Sequence, residues 1–263
     1  MKKEYDVLVI GPVSLDHNID DQGNERREVG GAVVASGYAA ARSGNRTAVF
    51  TKLNPKDADV EARFAGSGAD VYWKESKETC SIRNQYFTAD KEKRQCVSMG
   101  RCDPFRFDEL PDVDAKIYHF AGLVYGDFDG PLFTEAAKHG RVAVDVQCLL
   151  RHVEPDRTMA FHDWAEKRTY LPAVDYLKTD AAEAEILTGL TDRAEAAKLL
   201  HSWGAGEALI THNTEVLAYD GPSGPGTCPA APAGATPPLP AISPSACAPE
   251  WRRRCATARR WSP

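Results

Sequence analysis

The chain has 263 residues, a formal net charge of −6 at pH 7 and seven cysteines. Its length suits one large α/β domain or two small ones, and its negative charge gives no electrostatic reason to expect nucleic acid or an anionic membrane as partner, which leaves small molecules. No apolar run is long enough to span a bilayer, Val7 to Ile10 is too short for a signal-peptide core, and cysteines without C-x-x-C spacing indicate neither a zinc site nor a disulfide framework, so a reducing cytoplasm fits best.

Tyr5 to Ile10 reads as a strand, and Gly11 to Asp16 as the loop leaving its end. The loop is not a dinucleotide fingerprint: G-x-G-x-x-G is absent, and Pro12 lacks the amide a phosphate cradle would use. Asp16 is placed to grip ligand hydroxyls, or is simply a solvated loop carboxylate. Gly30-Gly31 opens a helix of small residues, Ala32 to Ser43, whose first amides face an anion or hydroxyl, or which merely packs closely after a tight turn. Arg46 to Leu53 is a second strand and Asp59 to Gly68 a second helix.

From Val71 to Met99 the pattern changes to short alternating runs, Ser81–Thr88 and Arg94–Met99, joined by the charged turn 89–93. This predicts an antiparallel hairpin over about residues 71–100, as a lid or as an edge extension. Alternation then resumes with strand Lys116–Phe120, helix Gly130–His139, strand Val142–Val146, helix Asp163–Leu171 and strand Val174–Leu177. A helix closed by Gly189, a further helix Asp192–Trp203, and two strands, Ala208–Thr211 and Val216–Tyr219, complete the pattern. Strands separated by helices imply a doubly wound, mostly parallel α/β sheet. Asp180 and Glu183 share the first turn of the helix before Gly189. They either orient a hydrated Mg²⁺ at the carboxyl edge of the sheet or form a capping box.

Taken in order, the Gly11–Asp16 loop, Gly30-Gly31 with its small-residue helix, the hairpin, Asp145-Val-Gln147, Asp175 to Gly189 and Leu209-Ile-Thr211 resemble the ribokinase-like (PfkB) carbohydrate kinases. The resemblance spans about Tyr5 to Gly221. It implies transfer of phosphate from ATP, with Mg²⁺, to a hydroxyl of a small sugar, polyol or nucleoside. Asp16, Gly30 and Gly31 would hold the acceptor. Asp180, Glu183, Thr211 and Asn213 would lie at the nucleotide, with Glu183 reaching the metal through water, and the hairpin is a surface for homodimers. Departures accompany the likeness: Asp180 stands for asparagine, Ala35 for an asparagine that often touches the sugar, and Asn213 and Val216 for glycines. Asn213 tolerates the left-handed conformation, which Val216 would adopt only with strain.

After Gly221 the composition breaks. Residues 222–263 hold ten of the seventeen prolines, lack Lys, Asp, Val, Phe and Tyr, and end in five clustered arginines. A ribokinase-like domain over 1–221 followed by an irregular, Pro-rich tail over 222–263 is therefore expected. The family requires a Gly-x-Gly-Asp motif here, whose aspartate takes the proton from the attacking hydroxyl, and this chain has none, so no catalytic residue is assigned. In the frame joining the last base of each codon to the first two of the next, Gly226 to Pro240 permit Asn-Leu-Ser-Gly-Arg-Thr-Gly-Arg-Gly-Asp-Thr-Thr-Phe-Ala, with the aspartate straddling Ala235 and Thr236. The rest of the tail permits two amphipathic helical patterns. A frameshift at or before Pro222 is the expectation, with a kinase fold whose activity is lost. A non-catalytic sugar-binding protein and an unrelated α/β protein with a Pro-rich interaction tail are the alternatives.

Overall fold

The computed structural model describes residues 2–89, 93–213, 215–221 and 224–229. In chain order the strands and helices begin β1 Lys3–Ile10, β2 Ser14–Ile19, β3 Glu25–Gly30, α1 Ala32–Arg42, β4 Thr47–Leu53, α2 Val60–Phe64, β5 Asp70–Glu75, β6 Cys80–Tyr86, β7 Arg94–Gly100 and β8 Val113–Phe120. They continue α3 Gly130–Ala136, β9 Arg141–Asp145, α4 Gln147–Leu150, β10 Arg151–Val153, β11 Met159–Phe161, α5 Lys167–Tyr170, β12 Tyr176–Asp180 and α6 Ala181–Thr188. The last are α7 Arg193–Ser202, β13 Glu207–His212, β14 Glu215–Tyr219 and β15 Gly226–Pro229.

Nine strands form the central sheet in the order β15-β14-β13-β12-β9-β8-β1-β4-β5. From β13 to β5 every neighbouring pair is parallel, and β14 and β15 add antiparallel strands at one edge. From β1 the chain steps outward one way to β4 and β5, then returns to build β8, β9, β12 and β13 on the other side. The strand order therefore reverses beside β1, where open α/β sheets bind ligands beyond their carboxyl ends. Near-continuous apolar strands such as β1 and β4 are buried on both faces, as a parallel sheet requires.

Two cores cover the sheet. Leu8, Phe50, Phe120, Val144, Leu177 and Ile210 pack on one face against side chains of α3, α6 and α7, including Phe133, Leu187 and Leu200. Val7, Val9, Val49 and Ile117 pack on the other against α1 and α2. The second face is covered only in part: Ala143, Leu209, Val216 and Ala218 share it by strand alternation and are only half-buried, and no described helix packs over them.

A separate four-stranded sheet, β3-β2-β6-β7, stands over the carboxyl end of β1. It corrects two sequence expectations. Asp16 lies in a strand rather than in a loop, because the segment after Val13 pairs in parallel with β6 and antiparallel with β3. The hairpin of the lid begins at Cys80 rather than near residue 71, because Asp70–Glu75 pairs with β4 inside the central sheet. Residues 147–162, which carried no assigned element, form α4 and the β10–β11 hairpin; Ser98 N donates to Arg157 O at 2.9 Å, tying this hairpin to the lid. The predicted helices Gly130–His139 and Asp163–Leu171 are shorter than expected, ending in or replaced by turns and a 3₁₀ segment at Leu171–Ala173.

Residues 226–229 of the Pro-rich segment pair with β14, so the sheet extends past Gly221; an edge strand needs only backbone partners. The expected irregular tail from residue 230 onward lies outside the described residues.

Candidate active site

Strand alternation puts Ser14, Asp16 and Asn18 on one face of β2, and the register sets Gly30 and Glu28 of β3, and Cys80, Ile82 and Asn84 of β6, beside them. This face packs over Leu123 and Val124, in the loop leaving β8, and over Val153 and Met159 of the β10–β11 hairpin. A polar row crosses it: Asn84 Nδ2 donates to Asn18 Oδ1 at 2.9 Å, and Cys96 Sγ donates to Asn84 Oδ1 at 3.2 Å.

The glycine pair permits the approach of the Asp16 carboxylate. A Cβ on Gly30 would lie 2.8 Å from Asp16 Oδ2. Gly31, with φ of +106°, caps α1, and a Cβ there would come 2.7 Å from the Pro12 carbonyl oxygen. Asp16 is half-buried. Burial pushes its carboxyl above the usual carboxylate range, opposed by the adjacent Ser14 hydroxyl and the Arg151 charge. The sealed Ser14 Oγ nevertheless reaches no partner with good hydrogen-bond geometry, leaving an orphaned polar atom beside Asp16.

The loop after β8 is fixed by Asp127, whose buried Oδ2 accepts from Leu123 N at 2.7 Å and Val124 N at 3.0 Å. Arg151, at the start of β10, donates from Nε to Leu123 O at 2.8 Å. Sequence reading missed Asn18, Asn84, Cys96 and Arg151, since none belongs to a motif and each becomes visible only through lid pairing or burial.

The second group lies along the carboxyl ends of β12 and β13. Asp180 and Glu183 form the capping box: Glu183 N donates to Asp180 Oδ1 at 2.7 Å, and Asp180 N donates to Glu183 Oε2 at 2.8 Å. Glu183 is 3% exposed, and burial pushes its carboxyl up to about 7 against the pull of Lys178. Lys178 in turn pairs with Asp145 at 3.1 Å. Thr211 is paired in register with Asp180, and Asn213 just beyond it takes the left-handed conformation, φ 47°. Val216 sits in β14 without that conformation, so the strain expected of it does not arise.

The two groups share one edge of the sheet. β1 and β12 are separated by β8 and β9, about 14 Å at ordinary strand spacing, a span suited to a small acceptor on one side and a phosphate donor on the other. Among the described residues no three His, Cys, Asp or Glu side chains converge to hold a metal ion. A Mg²⁺ held at this edge would meet separate carboxylates, Glu183 among them with its Oε2 on the Asp180 amide, rather than a preformed ligand cluster. The opposite, amino edge carries a shallow hollow between Lys3, Tyr72 and Val113, where Lys2 is paired with Asp112 and the Asp70 carboxylate accepts from Lys3 Nζ at 3.2 Å and from the Tyr5 hydroxyl at 2.5 Å.

A parallel sheet with polar groups beside a strand-order reversal, topped by a small β lid, is an architecture suited to holding a small molecule between sheet and lid. The chain matches the pfkB family carbohydrate kinases over residues 6–233 and belongs to that family. It is 26% identical over 220 residues to a cytidine kinase of Thermococcus kodakarensis, covering 82% of this chain and 76% of that protein. Among solved structures, a sulfate complex of a pyrophosphate-dependent kinase in the ribokinase family superposes with a TM-score of 0.78 at 30% identity, covering 85% of this chain and 78% of the other. Arabidopsis thaliana ribokinase, solved with ribose and ATP, shares the fold with a TM-score of 0.66 at 14% identity, covering 88% and 80%.

Proposed function

We propose that the Asp16 face of the lid binds the acceptor of a kinase that phosphorylates a hydroxyl of a small sugar, polyol or nucleoside, and that this chain as written does not complete the reaction. Family membership over residues 6–233 together with the Asp16 carboxylate seated against Gly30 carries the first half. Asp16 would accept hydrogen bonds from acceptor hydroxyls, and the first amides of α1, behind Gly31, would face the same ligand. Asp180, Glu183, Thr211 and Asn213 would border the donor, ATP with Mg²⁺ or, by analogy with the pyrophosphate-dependent relative, pyrophosphate. The metal would supply charge neutralisation for the phosphates. A cytoplasmic setting suits such metabolites and the free thiols of Cys80, Cys96, Cys102 and Cys148.

The second half rests on the missing Gly-x-Gly-Asp. Without the base a kinase loses about 10² to 10⁴ in rate, and loss of the accompanying anion hole costs more. We attribute the gap to a frameshift at or before Pro222. The half-covered sheet face beside β9, β13 and β14 supports this, for the displaced frame permits two amphipathic helices that such a face would take. Assays of this chain and of the restored-frame protein, across sugars, inositols and nucleosides with ATP and with pyrophosphate, test both halves. Turnover is expected from the restored protein alone; ordinary kinase rates from the chain as written would refute the proposal, and DNA whose codons exclude the displaced string would refute the frameshift. A non-catalytic polyol-binding role for this chain is the second reading, favoured by the intact acceptor face, and predicts sugar binding without nucleotide turnover.

A further inference from the structure

We propose that His152 is a pH-operated latch on the lid: its neutral ring clamps the β10–β11 hairpin to the loop leaving β8, and its protonated ring releases the hairpin and the bracing of β7. The proposal concerns the lid itself and stands whichever ligand the lid covers.

Three flat rings from three stretches of chain meet here. His152, in the middle of β10, lies on Tyr125 of the loop after β8, with ring centroids 4.1 Å apart and planes 13° apart. His162, just beyond β11, closes the stack edge-on at 4.8 Å and 76°. Main-chain bonds hold the three stretches together: Tyr125 N donates to Arg151 O at 2.8 Å, and His162 N donates to Leu150 O at 2.8 Å. Strand alternation puts Val153 on the opposite face of the hairpin from His152, and that face carries the lid. Val97 of β7 bridges Thr158, Ser98 N donates to Arg157 O, and Val153 and Met159 pack on the cluster that contains Cys80 and Ile82. The hairpin is thus a strap with the ring stack on one side and the lid on the other.

The stack suits an uncharged ring. His152 Nε2 is sealed from solvent and has no hydrogen-bond partner among the described residues. A neutral imidazole with its proton on Nδ1 leaves only a lone pair there, whereas an imidazolium must place an N–H without an acceptor at that sealed position. The charged groups around the ring are Arg101, whose Nη2 donates to the Tyr125 carbonyl at 2.7 Å, and the hairpin's own Glu154 and His162, paired at 2.6 Å. The Tyr125 ring face attracts a cation, but a protonated His162 already answers Glu154 and repels a second imidazolium, as Arg101 does. Burial first, then the charges of His162 and Arg101, hold His152 below the ordinary 6.5 against the pull of Glu154. The closed stack therefore favours the neutral ring, and its contribution is whole above about pH 6.5 and is lost as pH falls through the lower folded value.

Amide hydrogen exchange of the chain as written, read as protection factors from about pH 7.5 to 5.5 beside an NMR titration of the His152 ring, tests the latch. Protection of Arg151–Val153, Met159–Phe161 and Ser98 should fall about 10-fold or more with the midpoint of the His152 titration, while β1 and β4 keep theirs. His152→Phe retains a flat ring that cannot titrate and should keep the hairpin protected across the range. His162→Gln removes an opposing charge and should move the midpoint to higher pH; it decides the matter should the phenylalanine variant fail to fold. Loss of protection in His152→Phe matching the wild type, or a His152 ring that titrates with no change at the hairpin, overturns the proposal. A loss shared equally by β1 and β4, or an unmoved midpoint in His162→Gln, overturns it too.

Discussion

Asp16 and Glu183 are both carboxyls whose ionised forms the fold disfavours, with different consequences. Asp16 lies beside an orphaned hydroxyl, and its charge is opposed by burial. Replacing it with asparagine should therefore leave stability at neutral pH equal or higher, while acceptor binding falls about 10-fold or more, because the amide keeps one uncharged acceptor oxygen where the carboxylate has two and its NH₂ can only donate. Calorimetry paired with a melt would show the two effects moving in opposite directions, and a parallel loss of both would place Asp16 in the scaffold instead. Glu183 titrates at about 7 in the fold against an ordinary 4.5. A raised folded value favours the neutral acid, so its contribution is present below about pH 4.5 and is lost as pH rises to about 7, on the order of 3 kcal/mol in full. In metal-free buffer the stability of the wild type relative to Glu183→Gln should thus decline between those pH values. A difference that stays flat across the window would contradict the assignment.

The elements that carry the site are held by backbone geometry that few side chains permit. Gly31 stands at the junction of β3 and α1 with φ of +106°, and any Cβ there meets the Pro12 carbonyl at 2.7 Å. Gly31→Ala should cost about 1–3 kcal/mol in chemical denaturation and weaken acceptor binding together with stability, since it moves the strand pair bearing Asp16. The cap of α6 is separable from this. Asp180→Ala removes the acceptor of the Glu183 amide and should cost about 1 kcal/mol without altering binding of a polyol to the Asp16 face, which belongs to the separate lid sheet. A change in polyol affinity of the Asp180 variant would show that the two ends of the edge are coupled.

At the scale of the molecule, a doubly wound sheet is stable when both faces are covered. Here α3, α6 and α7 cover one face along the sheet, while α1 and α2 cover the other only beside β1, β4 and β5. Ala143, Leu209, Val216 and Ala218 remain half-buried. If the proposed frameshift accounts for this bare half-face, a protein carrying the displaced-frame sequence after residue 221 should melt several degrees higher and aggregate less. A restored protein that melts no higher than the chain as written would mean that this half-face needs no helical cover.

Much of this was legible without coordinates. Apolar runs broken by helical periods announced the parallel sheet, and Asp180 with Glu183 announced a helix start, because hydrophobic period and capping are properties of neighbouring residues. The glycine pair marked the turn into α1 for the same reason: left-handed backbone, which Gly31 adopts, is a local demand. The lid was read only in part, since the pairing of Ser14–Ile19 with Cys80–Tyr86 joins segments some 65 residues apart through main-chain hydrogen bonds that any side chain allows. Folding alone determined that Asp16 lies in a strand, that Asn18, Asn84 and Cys96 form one row, and that Arg151, in an unremarked stretch, is buried with its Nε on the Leu123 carbonyl. Composition and period record what each residue prefers; which distant residues share a desolvated space, and so which charges lack partners, is set when the chain closes on itself.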